Sequence, residues 1–164
     1  MQLESIGRDV DLFVRQRCGF CSKEYNLKNR VNNCECGNGL DFRVDFKGDF
    51  QKFLVGDKSM WRYRNFMPVE SRNIVSAGEG MTSAVHFKGL SKKYGIELFG
   101  KLESENPTGT FKDREGSFVV SRSLDVGENN IVMQSTGNTG ISITYYSGLA
   151  GIKSYFFGSA ISEY

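Results

Sequence analysis

The sequence lacks any apolar stretch approaching the roughly 20 residues a membrane-spanning helix needs, so no transmembrane segment is expected. Long runs of one charge are missing too. Lysines and arginines number 21 against 19 aspartates and glutamates, a formal net charge of +2, and the two signs are mixed along the chain. Charge therefore gives no basis for expecting a nucleic-acid partner. The opening MQLESIGRDVDLF has no basic-then-apolar layout of a secretory signal, and a cytoplasmic protein is the expectation. There is one histidine, His86, too far from the cysteines in sequence to be an obvious ligand and read as a surface or packing residue. No cysteine occurs beyond Cys36, so no disulfide framework can staple the whole chain.

What is present fits a globular chain: 39% hydrophobic and 24% charged residues over 164 positions, room for one domain or a small module followed by part of a larger one. The four cysteines form one local feature, CGFC at Cys18–Cys21 and CECG from Cys34, and residues 1–50 read as a mini-module. The pattern CxxC, twelve residues, CxC can close a tetrahedral zinc site from two knuckles, which makes Cys18, Cys21, Cys34 and Cys36 candidate ligands. Four reduced cysteines without metal are the alternative. A structural zinc would fold a module too small to bury much apolar surface, and would leave no open position for catalysis.

Residues 51–88 form a connecting region of weak periodicity that contains WRYRNFMPV (61–69) and GEGMTSAV (78–85). From Ile96 to Leu102 the apolar residues alternate as in a strand. NPTG then breaks the pattern, with Pro107 unable to extend a ladder. Thr110 is a plausible N-cap, Asp113 completes a near capping box, and Gly127 is a stop, bracketing a helix of about 16 residues. A short apolar strand at Ile131–Met133 leads through STGNTG (135–140) into a second helix ending near Gly148–Gly151, and Ile152–Phe157 reads as a third strand. Strand, helix, strand, helix, strand predicts an α/β fold with parallel strands joined by right-handed crossovers and ligands at the carboxyl ends of the strands. Three strands are a meagre version of such a sheet, so truncation is inferred, with residues 51–164 as the first part of a catalytic domain.

The segment ENPTGTFKDR (105–114) places Lys112 in the first turn of a helix, where the positive end of the macrodipole disfavours an ammonium. A lysine that condenses with an aldehyde must be held rigidly and lose its proton, so the placement suits that chemistry. A solvated first-turn lysine is the ordinary alternative. STGNTG joins a strand to a helix, a place where exposed backbone N–H groups bind anions.

The decapeptide resembles the NPTGSFKDR segment of threonine synthases and related fold-type-II pyridoxal-phosphate enzymes, and the distance to STGNTG matches the asparagine loop of that family. WRYRNFMPV and GEGMTSAV resemble two further segments of it, although Ser83 and Ala84 replace the usual proline and leucine, and Trp61 and Tyr63 also suit plain packing. The resemblance implies a partial doubly wound parallel sheet preceded by a zinc-ribbon-like module. It implies Lys112 as the Schiff-base lysine and catalytic proton shuttle, Phe111, Lys112 and Asn138 at the pyridoxal phosphate, and Ser135, Thr136, Gly137 and Thr139 at the substrate carboxylate. The implied reaction is a lyase converting O-phosphohomoserine to threonine and phosphate, with cysteate synthase or another β-replacement enzyme as the alternative. A non-catalytic zinc-ribbon interaction protein is a further reading, because the glycine-rich loop that holds the cofactor phosphate in the family, and the residue facing the pyridine nitrogen, are not found in the sequence. The expected partners are a small amino-acid substrate and either a complementing C-terminal half or a second copy. Glu115 stands where glycine usually follows KDR, a departure taken as minor because the position can face solvent.

Overall fold

The computed structural model describes residues 11–26, 31, 33–47, 56–135 and 137–158. Its first element is a three-stranded antiparallel sheet. Strand β1 (Asp11–Cys18) lies at the centre, flanked by β2 (Glu24–Tyr25) and β3 (Leu40–Lys47). The long pair runs in unbroken register from Asp11 opposite Lys47 to Cys18 opposite Leu40. Both cysteine-bearing turns therefore sit at one end of this sheet.

In the connecting region, where periodicity is weak, two short helical turns form at Met60–Phe66 and Ser71–Asn73. Met60–Phe66 forms a 3₁₀ helix whose N-cap is Ser59, its hydroxyl accepting from the Trp61 N–H at 3.1 Å. Met60, Trp61 and Val69 are buried together with Met67, Ile74 and Phe118 against them. Trp61 is only 1% exposed and its indole N–H donates to Ser117 at 2.8 Å, whereas Tyr63 is exposed.

Strand β4 (Ala84–His86), helix α1 (Lys88–Tyr94) and strand β5 (Phe99–Lys101) follow. Here the expectation of an all-parallel arrangement fails. The alternating stretch beginning at Ile96 keeps only Phe99–Lys101 as strand, and it pairs antiparallel with β4, His86 opposite Phe99. Alternation reports that a strand has two faces but not which strand lies beside it. His86 stacks on Phe99 at 4.8 Å and hydrogen-bonds Ser91, a packing role as expected.

Helix α2 (Lys112–Asp125), strand β6 (Asn130–Gln134), helix α3 (Asn138–Ala150) and strand β7 (Lys153–Phe157) complete the order read from sequence. α2 has 14 residues, two fewer than expected, and Gly127 at φ +74° ends it. β6 and β7 are parallel, with Asn130 opposite Lys153. Val120, Ile131, Ile143 and Tyr146 form the core between the helices and this strand pair. α2 and α3 approach closely because Gly116 has no side chain: a Cβ there would lie 2.2 Å from Ser142 Oγ. Among the described residues no helix is long and apolar enough to cross a membrane.

Candidate functional site

At the end of the first sheet the four thiols converge. Cys18 closes β1, the following turn carries Cys21, and the turn before β3 carries Cys34 and Cys36. Their sulfurs all lie within 4.8 Å of one another, with Cys18 to Cys36 at 3.6 Å and Cys21 to Cys34 at 3.4 Å. A tetrahedral zinc with Zn–S bonds of about 2.3 Å sets its sulfurs about 3.8 Å apart, so the donor set fits such an ion. Hydrogen bonds favour thiolate at Cys36 and Cys34, whereas Cys21 is pushed up to about 12, the lowering by the Lys23 backbone being outweighed by its hydrogen bond to Cys34 and by burial. The Asn38 side-chain amide, with its backbone N–H and the neighbouring Cys34, lowers the Cys36 thiol to about 6. Cys34 is lowered by the Cys36 backbone and then by the Tyr25 hydroxyl, which donates to its sulfur at 3.2 Å.

The second site is built where GEGMTSAV and ENPTGTFKDR meet. Asn106 is buried and joins them: its side-chain oxygen accepts from the Gly80 N–H at 2.9 Å while its amide donates to Glu103. Gly80 adopts φ +95°, and a Cβ there would stand 2.8 Å from the Met60 nitrogen, so only glycine passes through this junction. Glu103 takes a bidentate bond from Arg114 at 2.9 and 2.8 Å and accepts from Thr82 at 3.1 Å. Glu105 accepts from the Ser83 N–H, where the proline usual in the resembling family would have no donor.

The Arg114 guanidinium, helped by Asn106 and Thr82 against the opposing effect of burial, holds the Glu103 carboxyl at about 2, below its ordinary 4.5. A depressed carboxylate contributes stability above its unfolded value and loses it as pH falls toward its folded value. Acidification from about pH 4.5 to 2 is therefore expected to remove about 1–2 kcal/mol through this group, after discounting for partial exposure. Urea unfolding at pH 6 and pH 3 measures this, and Arg114→Met should flatten the difference. An equal pH dependence in both proteins would show that the pair is not its source.

Glu79, the acid between the two glycines, is 1% exposed and joins four segments. Its carboxylate accepts from the Tyr146 hydroxyl at 2.8 Å, the Ala77 N–H at 2.9 Å and the Ser76 hydroxyl at 3.1 Å. Ser117, which receives the Trp61 indole N–H, lies 2.6 Å from the same carboxylate and 2.7 Å from the Val75 carbonyl oxygen. Burial, then the hydrogen bond to Glu79, pushes the Tyr146 phenol well above its ordinary value.

Lys112 is the first residue of α2. Its N–H donates to the Thr110 hydroxyl at 3.0 Å, but the N-cap position falls on Phe111, one residue after the expected Thr110. Asp113 departs from the expected capping box: it is fully buried and reaches back to Thr108, accepting from its N–H at 2.6 Å and its hydroxyl at 2.5 Å. This ties the NPTG turn to the helix. The Lys112 amine contacts Glu115 Oε2 at 2.5 Å and stands 5.2 Å from the centroid of the exposed Phe111 ring. Across the helix pair, Ser142 donates to the Lys112 carbonyl oxygen at 2.9 Å, and Gly116 lies against Ser142 and Tyr146. These contacts progress in the same sense along both helices, so α2 and α3 begin at the same end.

At that end β6 runs into the STGNTG loop. The Ser135 hydroxyl accepts from the N–H groups of Gly137 at 3.2 Å and Gly140 at 3.0 Å, folding the loop back over the start of α3. Asn138 opens α3 and is exposed, and Thr139 is half-buried beside it. Thr136 lies outside the described residues.

The sequence profile of the family described as pyridoxal-phosphate dependent enzyme matches residues 75–162, more than half of the chain. The chain belongs to this family. Curated relatives are threonine synthases. That of Methanocaldococcus jannaschii is 37% identical over 145 residues, covering 84% of this chain and 36% of that protein. That of Methanosarcina acetivorans is 36% identical over 141 residues, covering 83% and 35%, and that of Halalkalibacterium halodurans is 37% identical over 101 residues. The chain thus spans about a third of the length of the relatives that it covers best.

Within the matched region of this pyridoxal-phosphate family lie Phe111, Lys112, Ser135, Gly137, Asn138 and Thr139, gathered at the shared start of α2 and α3. Lys112 and Asn138 suit the family's cofactor chemically, one offering an amine and the other an amide at neighbouring helix starts. Two residues escaped the sequence reading. Glu79 carries a signal only in hindsight, an acid flanked by two glycines. At Glu115 the departure from the family's usual glycine is not minor as expected: its carboxylate is the group that meets the Lys112 amine.

Proposed function

We propose that this chain supplies the lysine- and asparagine-bearing portion of a threonine-synthase-like lyase that converts O-phosphohomoserine to threonine and phosphate. The observation that supports the reading is the common start of α2 and α3, the ends that carry Lys112 and Asn138. Pyridoxal phosphate, when bound, supplies the electron sink for chemistry at the substrate α and β carbons. Lys112 would attach it through its amine and move protons, with Phe111 alongside. Asn138 would donate to the ring hydroxyl. The first N–H groups of α3 have no intrahelical acceptor, and with Ser135, Thr136, Gly137 and Thr139 they would receive a substrate carboxylate.

The doubly wound sheet belongs to the same proposal. Ile131 and Met133 of β6 face the helices, while Val132, Tyr155 and Phe157 on the other face are apolar and exposed. Strands apolar on both faces are those of parallel sheets covered on both sides. A complementing stretch of the fold or a second copy would provide that cover. The cysteine module, in this reading, holds a structural zinc through Cys18, Cys21, Cys34 and Cys36.

Treating the purified chain with pyridoxal phosphate, reducing with borohydride and mapping peptides tests the cofactor claim. The expected result is label concentrated on the peptide containing Lys112. Label spread evenly over the other lysines would sink it.

A further inference from the structure

The three charged residues that follow Lys112 are used differently. Asp113 is consumed by Thr108 and Arg114 by Glu103, both inside the weave of the two motifs. Glu115 has the Lys112 amine as its partner, three residues back on the same helix face at 2.5 Å. The Lys112 side chain is 29% exposed and that of Glu115 44%, so the pair is half-shielded rather than buried. A carboxylate in the first turn is itself favoured by the helix macrodipole, whereas an ammonium there is not. The carboxylate is therefore the settled member of the pair, and the amine is held by it.

We propose that Glu115 is a positioning residue that docks the Lys112 amine while the cofactor is absent and must release it before the cofactor aldehyde is captured. This rests on the reading of Lys112 given above. Capture forms a carbon–nitrogen double bond between Nζ and the aldehyde carbon and expels one water. The nitrogen has to arrive as a neutral amine, its proton passing to solvent, and has to leave the carboxylate to reach the aldehyde. A carboxylate 2.5 Å away holds the nitrogen back from that departure. Glycine at this position, as in the resembling motif, offers no such dock.

The experiment compares wild type with Glu115→Gln, Glu115→Gly and Glu115→Asp, all checked for native circular dichroism. It follows the rate at which pyridoxal phosphate at pH 7 becomes borohydride-trapped on the Lys112 peptide. Removing the charge should speed trapping about two- to fivefold, the scale of a partly exposed helix ion pair, and Glu115→Asp should stay nearer wild type. Raising salt to 0.5 M should narrow the ratio of the Glu115→Gln rate to the wild-type rate toward one, because screening of the anionic cofactor is common to both proteins and only wild type has the charged pair. That salt response would not follow from a merely structural role. Equal or slower trapping in Glu115→Gln, with label still on Lys112 in both, overturns the dock and leaves the Lys112 reading intact. Absence of Lys112 label in every protein overturns both.

Discussion

Replacing Glu79 by alanine is expected to lower the unfolding free energy by about 2–3 kcal/mol, since a buried hydroxyl stranded without an acceptor costs on the order of 1–3 kcal/mol and the links to Ser117, Ser76 and Ala77 go with it. The buried Tyr146 hydroxyl would lose its acceptor and Ser117 would keep only the Val75 carbonyl oxygen, while the exposed Ser76 hydroxyl and Ala77 N–H can turn to water. The loss is shared across α2, α3 and the segment from Ser76 to Gly80, because Glu79 is the atom group at which these meet. Partial relief from no longer burying a charge keeps the figure below the simple sum. Folded domains hold only about 5–15 kcal/mol in reserve, so the variant should be marginal. Tyr146→Phe is the milder companion, deleting a single hydroxyl that donates to a charged acceptor, and should cost about 1.5–2 kcal/mol. Trp61 is the only tryptophan, and its indole donates to Ser117 beside Glu79, so its fluorescence during urea unfolding reports on this junction. A change below about 1 kcal/mol in Glu79→Ala would show that the hub is replaceable by water.

The parts of this molecule legible from sequence are those governed by near neighbours. Gly127, Thr110 and the apolar run at 131–133 delimit α2 and β6 through local rules, and the structure keeps those boundaries to within a few residues. The cysteine spacing likewise brings four sulfurs together, because two short knuckles at one sheet end leave little freedom. What could not be read depends on contacts between distant residues. β5 pairs with β4 in antiparallel fashion, and nothing in the alternation at Ile96–Leu102 names that partner. Asp113 sits three residues after Thr110, the spacing of a capping box, but the NPTG turn offers Thr108, which presents both an N–H and a hydroxyl to the same carboxylate. Glu115 is exposed, as expected. Its importance comes from the identity of the residue three positions earlier.

The cysteine module poses a harsher energetic problem than the helices, and its metal is expected to matter correspondingly more. Among its described side chains only Val14, Cys18 and Cys34 are buried, which gives that described part little apolar core. A β1–β3 pair of eight residues each is barely stable in isolation without a packed face. Zinc at the four sulfurs would compensate for so small a core, since structural zinc sites contribute on the order of 10 kcal/mol to folding of small modules. Protein purified without chelator should therefore carry about one zinc per chain, and less than half an equivalent would count against the site. Cys34→Ser removes a buried ligand and the acceptor of the Tyr25 hydroxyl, and should abolish stoichiometric zinc. In that variant, or after chelation, amide hydrogen exchange along β1 and β3 should rise toward unprotected rates, while Trp61 fluorescence stays native because the Glu79 junction is built without the cysteines. Retained protection in the metal-free strands would mean that residues 11–47 fold by contacts other than the four thiols.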